Sequence, residues 1–124
     1  MKFANTSIAT LGLAAALCLP ATALAAGMGD TPTTALKGEV VDTACYLDHG
    51  AKGEKHKQCA LNCLASGIPP SLLTADGKLY LLLPPHGPHD AYDKVKGMAA
   101  EMVTVKGQVH SDGGLQAMIV SEVE

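Results

Sequence analysis

The sequence predicts a mainly β domain with two helices, and three observations carry that expectation. Val103, Val105 and Val109 alternate with polar residues, the chain turns at Asp112-Gly113-Gly114, and Leu115, Ala117 and Ile119 alternate again. A period of two about a glycine turn is the pattern of an antiparallel hairpin. A second hairpin is written in "SLLTADGKLYLLL", where Asp76-Gly77 supplies the positive dihedrals of a tight turn. A fifth strand ends near Asp42 or Thr43, after the adjacent valines of "LKGEVVDTAC".

The elements follow in order along the 124 residues. Lys2, an apolar run over residues 8–19 and the small-x-small triplet Ala23-Leu24-Ala25 read as a secretory signal peptide over residues 1–25, cleaved after Ala25 or Ala26. The run falls short of the roughly 20 apolar residues that a membrane span needs. The expected location is therefore periplasmic or secreted, and Cys18 leaves with the leader. Residues 26–35 are small, polar and proline-containing, the composition of a flexible tether. Residues 36–124 are expected to form one domain, with a Cys/His-bearing insert at 44–67 after the first strand.

Within the insert, Gly50 and Gly53 mark a turn, and residues 54–65 are mostly good helix formers stopped by Gly67, Pro69 and Pro70. The strand over residues 78–83 is apolar enough to be well buried. "PPHGPHD" is a rigid loop, because its prolines forbid regular pairing. Asp90 is placed to cap the second helix, in which Tyr92, Val95, Ala99 and Met102 recur at helical spacing, with an end near Ala100.

Strand, insert with helix, hairpin, helix, hairpin is an order that resembles the small exported bacterial proteins of the oligonucleotide/oligosaccharide-binding (OB) barrel class. The resemblance implies a small OB-like Greek-key barrel with a helix between its third and fourth strands, and a binding surface at the first inter-strand loop. The insert at 44–67 occupies that loop. The alternative architecture for the same elements is an irregular two-layer α+β domain.

Charge narrows the partners. Eight lysines remain after the leader against twelve acids, with no arginine, and the aromatics are Tyr46, Tyr80 and Tyr92. Tracking phosphates needs a basic stripe and stacking bases needs aromatic platforms, so nucleic acid is not an expected partner. Anionic membrane surfaces are disfavoured for the same reason, and no stable membrane insertion is expected after cleavage. The expected partners are a metal ion and a protein of the cell envelope.

The chemistry is concentrated in "ACYLDHGAKGEKHKQCALNCLASG", residues 44–67, which holds Cys45, Cys59, Cys63, His49 and His56. Exported thiols tend to pair, so three of them leave one spare, reach another chain, or share a metal. On a helix, Cys59 and Cys63 fall about 300° and 340° from His56, which puts all three on one stripe. Cys45, at the end of the first strand, can face that stripe. Three sulfurs with His56 or His49 make the donor set of a tetrahedral soft-metal site, and zinc or copper(I) is the expected ion.

The three-residue gap between Cys59 and Cys63 differs from the two-residue knuckles of zinc ribbons. A cysteine pair so spaced with a distant histidine is similar to the site of the exported copper chaperones that serve cytochrome oxidase. Those proteins have a thioredoxin fold and a proline after the first cysteine, where Ala60 stands here. Covalent haem is excluded in its ordinary form, since Cys-x-x-Cys-His is absent.

The alternative is a disulfide-stapled interaction or ligand-binding module with one spare cysteine. A Cys59–Cys63 bridge would be strained across one helical turn, while a bridge from Cys45 to either would stabilise the domain by about 2–4 kcal/mol. A third reading, a redox-active thiol, needs Lys55, Lys57 or His56 to lower a thiol pKa.

His86 and His89 are read as keeping the proline-rich loop solvated, His110 as a surface residue, and Met98 and Met102 as core. Asp42 and Asp48, like Asp90 and Asp93, are assigned to capping and surface charge. No nucleophile–base–orienter set is recognisable, so the expectation is a binding protein rather than an enzyme.

Overall fold

In the computed structural model, which describes residues 31–124, five strands close into a barrel. The signal peptide expected at 1–25, Cys18 with it, and tether residues 26–30 lie outside the described residues. The strands are β1 (Thr33–Asp42), β2 (Pro70–Thr74), β3 (Leu79–Leu83), β4 (Met102–Asp112) and β5 (Leu115–Val123). Their order around the barrel is β1-β2-β3-β5-β4, with β1 pairing β4 to complete the ring. All pairs are antiparallel except β3 with β5. A helix between β3 and β4, and the parallel β3–β5 contact that the crossing requires, give the OB-like Greek-key arrangement. Closure leaves no free sheet edge, which a two-layer α+β domain would have.

Alternation builds the core. Val40, Leu72, Leu82, Val105, Met118 and Val120 turn inward and are essentially without solvent contact. Each such side chain contributes about 1.5–3 kcal/mol through removal from water. Two glycines let the barrel close tightly. A Cβ on Gly38 would sit 2.5 Å from the Leu73 carbonyl oxygen, and one on Gly107 would collide with the Ile119 carbonyl, where β4 shifts register against β5.

Among the described residues three helices decorate the barrel, where the sequence predicts two: α1 (Thr43–His49), α2 (Lys57–Ala65) and α3 (Asp90–Lys96). The additional helix, α1, follows β1 directly and is short and poor in strong helix formers. Its ends hold it. The Asp42 carboxylate accepts from the Cys45 backbone N–H, and Gly50, at φ 70°, donates its N–H to the Cys45 and Tyr46 carbonyls. Residues 54–56 form a 3-10 turn leading into α2, so the helix expected over 54–65 is present with a tighter first turn.

Other boundaries differ for identifiable reasons. β1 begins at Thr33, within the stretch expected as tether, because residues 33–35 pair with 106–108 of β4. α3 ends at Lys96 rather than near Ala100: Ala100 and Glu101 are drawn into backbone bonds with Val40, and Ala100 turns the chain at φ 62°. The helical spacing of Met102 therefore has no consequence; it opens β4 and is 59% exposed rather than core. Met98 packs partly buried against the core. Asp90 does not cap α3; His89 holds the cap position, without a side-chain bond.

The insert is clamped at its base, which matters for what it carries. Asp42 pairs with Pro70 in register, Thr43 Oγ1 donates to the Pro69 carbonyl at 2.6 Å, and Thr43 and Ser71 hydroxyls meet at 2.7 Å. Leu64 and Ala60 of α2 are buried in the barrel core, and Lys57 pairs with Glu101 at 3.0 Å. α2 is thus seated on the rim of the barrel, and α1 is tied to it at its first turn through Thr43 and the Asp42 cap.

Candidate metal centre

α2 is oriented by burial of one face. With Ala60 and Leu64 turned into the core, Cys59 and Cys63, one turn apart, are left at the rim, Cys59 exposed and Cys63 half-buried. The end of α2 is fixed too, since the Cys63 carbonyl accepts from the Ile68 N–H at 3.1 Å and the Ser66 hydroxyl at 2.8 Å. Cys45 comes from the first turn of α1, a half-buried position that exists because Asp42 and Gly50 close that helix.

The sulfurs of Cys45, Cys59 and Cys63 lie within 4.8 Å of one another. Sulfurs around a zinc ion at about 2.3 Å stand about 3.8 Å apart in a tetrahedron and about 4.0 Å apart in a plane. At most about one ångström of closure per pair separates this trio from a coordinating one. All three cysteines are free, so the disulfide staple is not part of this structure.

The imidazoles divide. His56 Nε2 lies 3.3 Å from Asp42 Oδ2, and Asp42, Cys45 and His56 form a second trio of donors within 4.8 Å. His49 belongs to neither trio. Its Nδ1 pairs with Asp48 at 3.1 Å, and its ring meets the His56 ring edge-on at 6.0 Å between centroids. The structure brings Cys45, Cys59 and Cys63 together, joins His56 to that group only through Cys45, and leaves His49 outside both trios.

Asp42 is the residue that sequence reasoning misplaced. It does cap a helix, though α1 is one the sequence does not predict, and it contributes no surface charge, because its side chain is 0% exposed. A buried carboxylate must be met by donors. Here Oδ1 takes the Cys45 N–H at 2.9 Å and Oδ2 faces His56. An Asp42 oxygen also lies within 4.8 Å of the Cys45 sulfur, and this carboxylate, with burial and the neighbouring Cys63, pushes the thiol up to about 12. Burial likewise raises the Cys63 thiol.

Those shifts bear on what the site can do. Nucleophilic or redox cysteines need lowered pKa values. Asp42, Cys45 and His56 contain the residue types of a nucleophile with its base, but the carboxylate beside Cys45 raises its thiol pKa, which works against activation. A metal ion can replace those thiol protons, as thiolate ligation always requires. No protein family, curated protein or solved structure matches the chain. What the chain does therefore rests on the chemistry of its site.

His86 and His89 are exposed on the loop before α3, as is His110 on β4. His89 is occupied locally, with Nδ1 on the Gly87 carbonyl at 3.1 Å and Nε2 on Asp93 at 3.3 Å. None of these three joins a donor trio among the described residues.

Proposed function

We propose that the protein is an exported soft-metal-binding protein, acting in the periplasm or outside the cell, whose cargo sits on Cys45, Cys59 and Cys63. The observation that carries the reading is the meeting of three free sulfurs within 4.8 Å of one another. Soft thiolates select copper(I) or zinc, and copper(I) is satisfied by fewer donors. Because the sulfurs meet without an imidazole in the same trio, copper(I) fits better than a Cys3His zinc ion. Structural zinc sites are closed by four protein ligands. Here Cys59 is exposed, which leaves one edge of the trio in reach of an incoming ligand. That supports storage or delivery of the ion over a purely structural role, and a cell-envelope protein with soft ligands as the exchange partner.

The test is native mass spectrometry with peptide-level alkylation after loading with copper(I). One ion per chain, with Cys45, Cys59 and Cys63 shielded from alkylation until a chelator is added, is the expected result. A mass two daltons low, no bound ion and a single alkylatable thiol in the insert would overturn it in favour of a disulfide-stapled module.

A further inference from the structure

The second trio has a geometry of its own. Asp42 Oδ2 and His56 Nε2 are 3.3 Å apart. Charge-assisted N–H···O bonds contract to about 2.7–2.9 Å, so for a hydrogen bond this contact is long. Two N/O ligands at about 2.0–2.1 Å from a tetrahedral ion stand about 3.3 Å apart, which is the separation seen. Both groups are withdrawn from water, Asp42 at 0% and His56 at 20% exposed, and both come from segments fixed to the barrel. Asp42 ends β1, and the His56 N–H is tied to the Gly53 carbonyl at 2.9 Å. Cys45 supplies the third donor and belongs to both trios.

We propose that Asp42, His56 and Cys45 form a second cation position beside the sulfur trio, taking a borderline divalent ion such as zinc, with the Cys45 thiolate bridging the two ions. Oxygen, nitrogen and one sulfur suit zinc, whereas three sulfurs suit copper(I), so the two positions sort ions by softness. A thiolate sulfur retains lone pairs after binding one ion and can donate to a second. Zinc would take Nε2, the nitrogen that faces Asp42, and leave Nδ1 to carry the ring proton. The buried carboxylate then meets a dication, which lowers the penalty of burying it.

This inference rests on the sulfur trio holding the first ion, and the experiment separates the two. The full chain is loaded with one equivalent of copper(I) and then titrated with zinc alone, against a competing chromophoric chelator. One further ion per chain is expected. Asp42→Asn, which keeps the helix cap, and His56→Gln should each weaken zinc by about a hundredfold or more, with copper(I) affinity falling less than tenfold. Absence of copper uptake would overturn the sulfur site and this position together. Copper uptake without zinc uptake would overturn this position alone. So would zinc uptake that both variants leave unaltered, because the ion would then lie on other histidines.

Discussion

Two segments of this chain, the insert after β1 and the proline loop before α3, are rich in metal-ligating side chains, and the barrel treats them in opposite ways. The insert between β1 and β2 brings three sulfurs, an imidazole and a buried carboxylate to one place on the rim. The loop before α3 carries His86 and His89 at a similar density, yet both are exposed and His89 is spent on its own loop and helix. Richness in donors does not separate them. The insert has a clamped base, a helix, α2, seated on the barrel and a buried carboxylate, Asp42, facing the Cys45 N–H and His56. The proline loop is stiff but has nothing buried for its histidines to converge on. Convergence, and not composition, makes a site.

Breaking the insert at its shared residue should have the largest effect. Cys45→Ser removes the sulfur common to both trios and is expected to lower copper(I) affinity by more than about a hundredfold in chelator competition. Cys59→Ser and Cys63→Ser should each give a loss of similar order, whereas in a disulfide-stapled domain one of the two would be nearly silent. Equal losses sharpen the contrast with the histidine loop; a silent partner would break it.

Acidity comes next. Cys45 and Cys63 have thiols raised above their ordinary value, so both are protonated at neutral pH in the ion-free protein. Binding therefore releases at least these two protons, and apparent affinity should fall by at least about a hundredfold per pH unit as the medium is acidified. The loss runs towards low pH because protons compete with the ion for sulfur. Chelator competition between pH 7.5 and 6.5, values chosen at roughly the physiological range, checks the slope.

Stability should respond more modestly. Asp42→Ala removes the α1 cap and leaves His56 and the Cys45 N–H facing an apolar methyl group, which is expected to destabilise the ion-free fold by about 1–3 kcal/mol in urea unfolding. Asp42→Asn, which still caps, should lose less. The smallest effect belongs to the comparison loop. His86→Ala with His89→Ala should leave copper(I) affinity within about twofold and stability within about 0.5 kcal/mol. A large loss there would show that the two regions act together.

Much of the barrel is legible in the sequence because its signals are local. The valines of β4, the Asp-Gly turn between β2 and β3 and the paired glycines before β5 each specify their element without reference to the rest. The stripe holding Cys59 and Cys63 is legible for the same reason, being a consequence of helical pitch. What escapes local pattern is set by contacts distant in sequence. α1 exists because Asp42 and Gly50 cap a stretch of low helix propensity, and α3 stops early because Val40 bonds to Ala100 and Glu101. Burial of Asp42 is the most consequential of these. Its one sequence signal was position: an aspartate continuing the buried Val40-Val41 run of a strand, three residues before a cysteine whose N–H it caps.

X-ray absorption at the copper edge of the copper(I)-loaded protein tests the central claim most directly. Three sulfur atoms in the first shell, near the roughly 2.3 Å typical of metal–thiolate bonds, are what the meeting of Cys45, Cys59 and Cys63 predicts. A first shell made of nitrogen or oxygen, or one with a single sulfur, would contradict it.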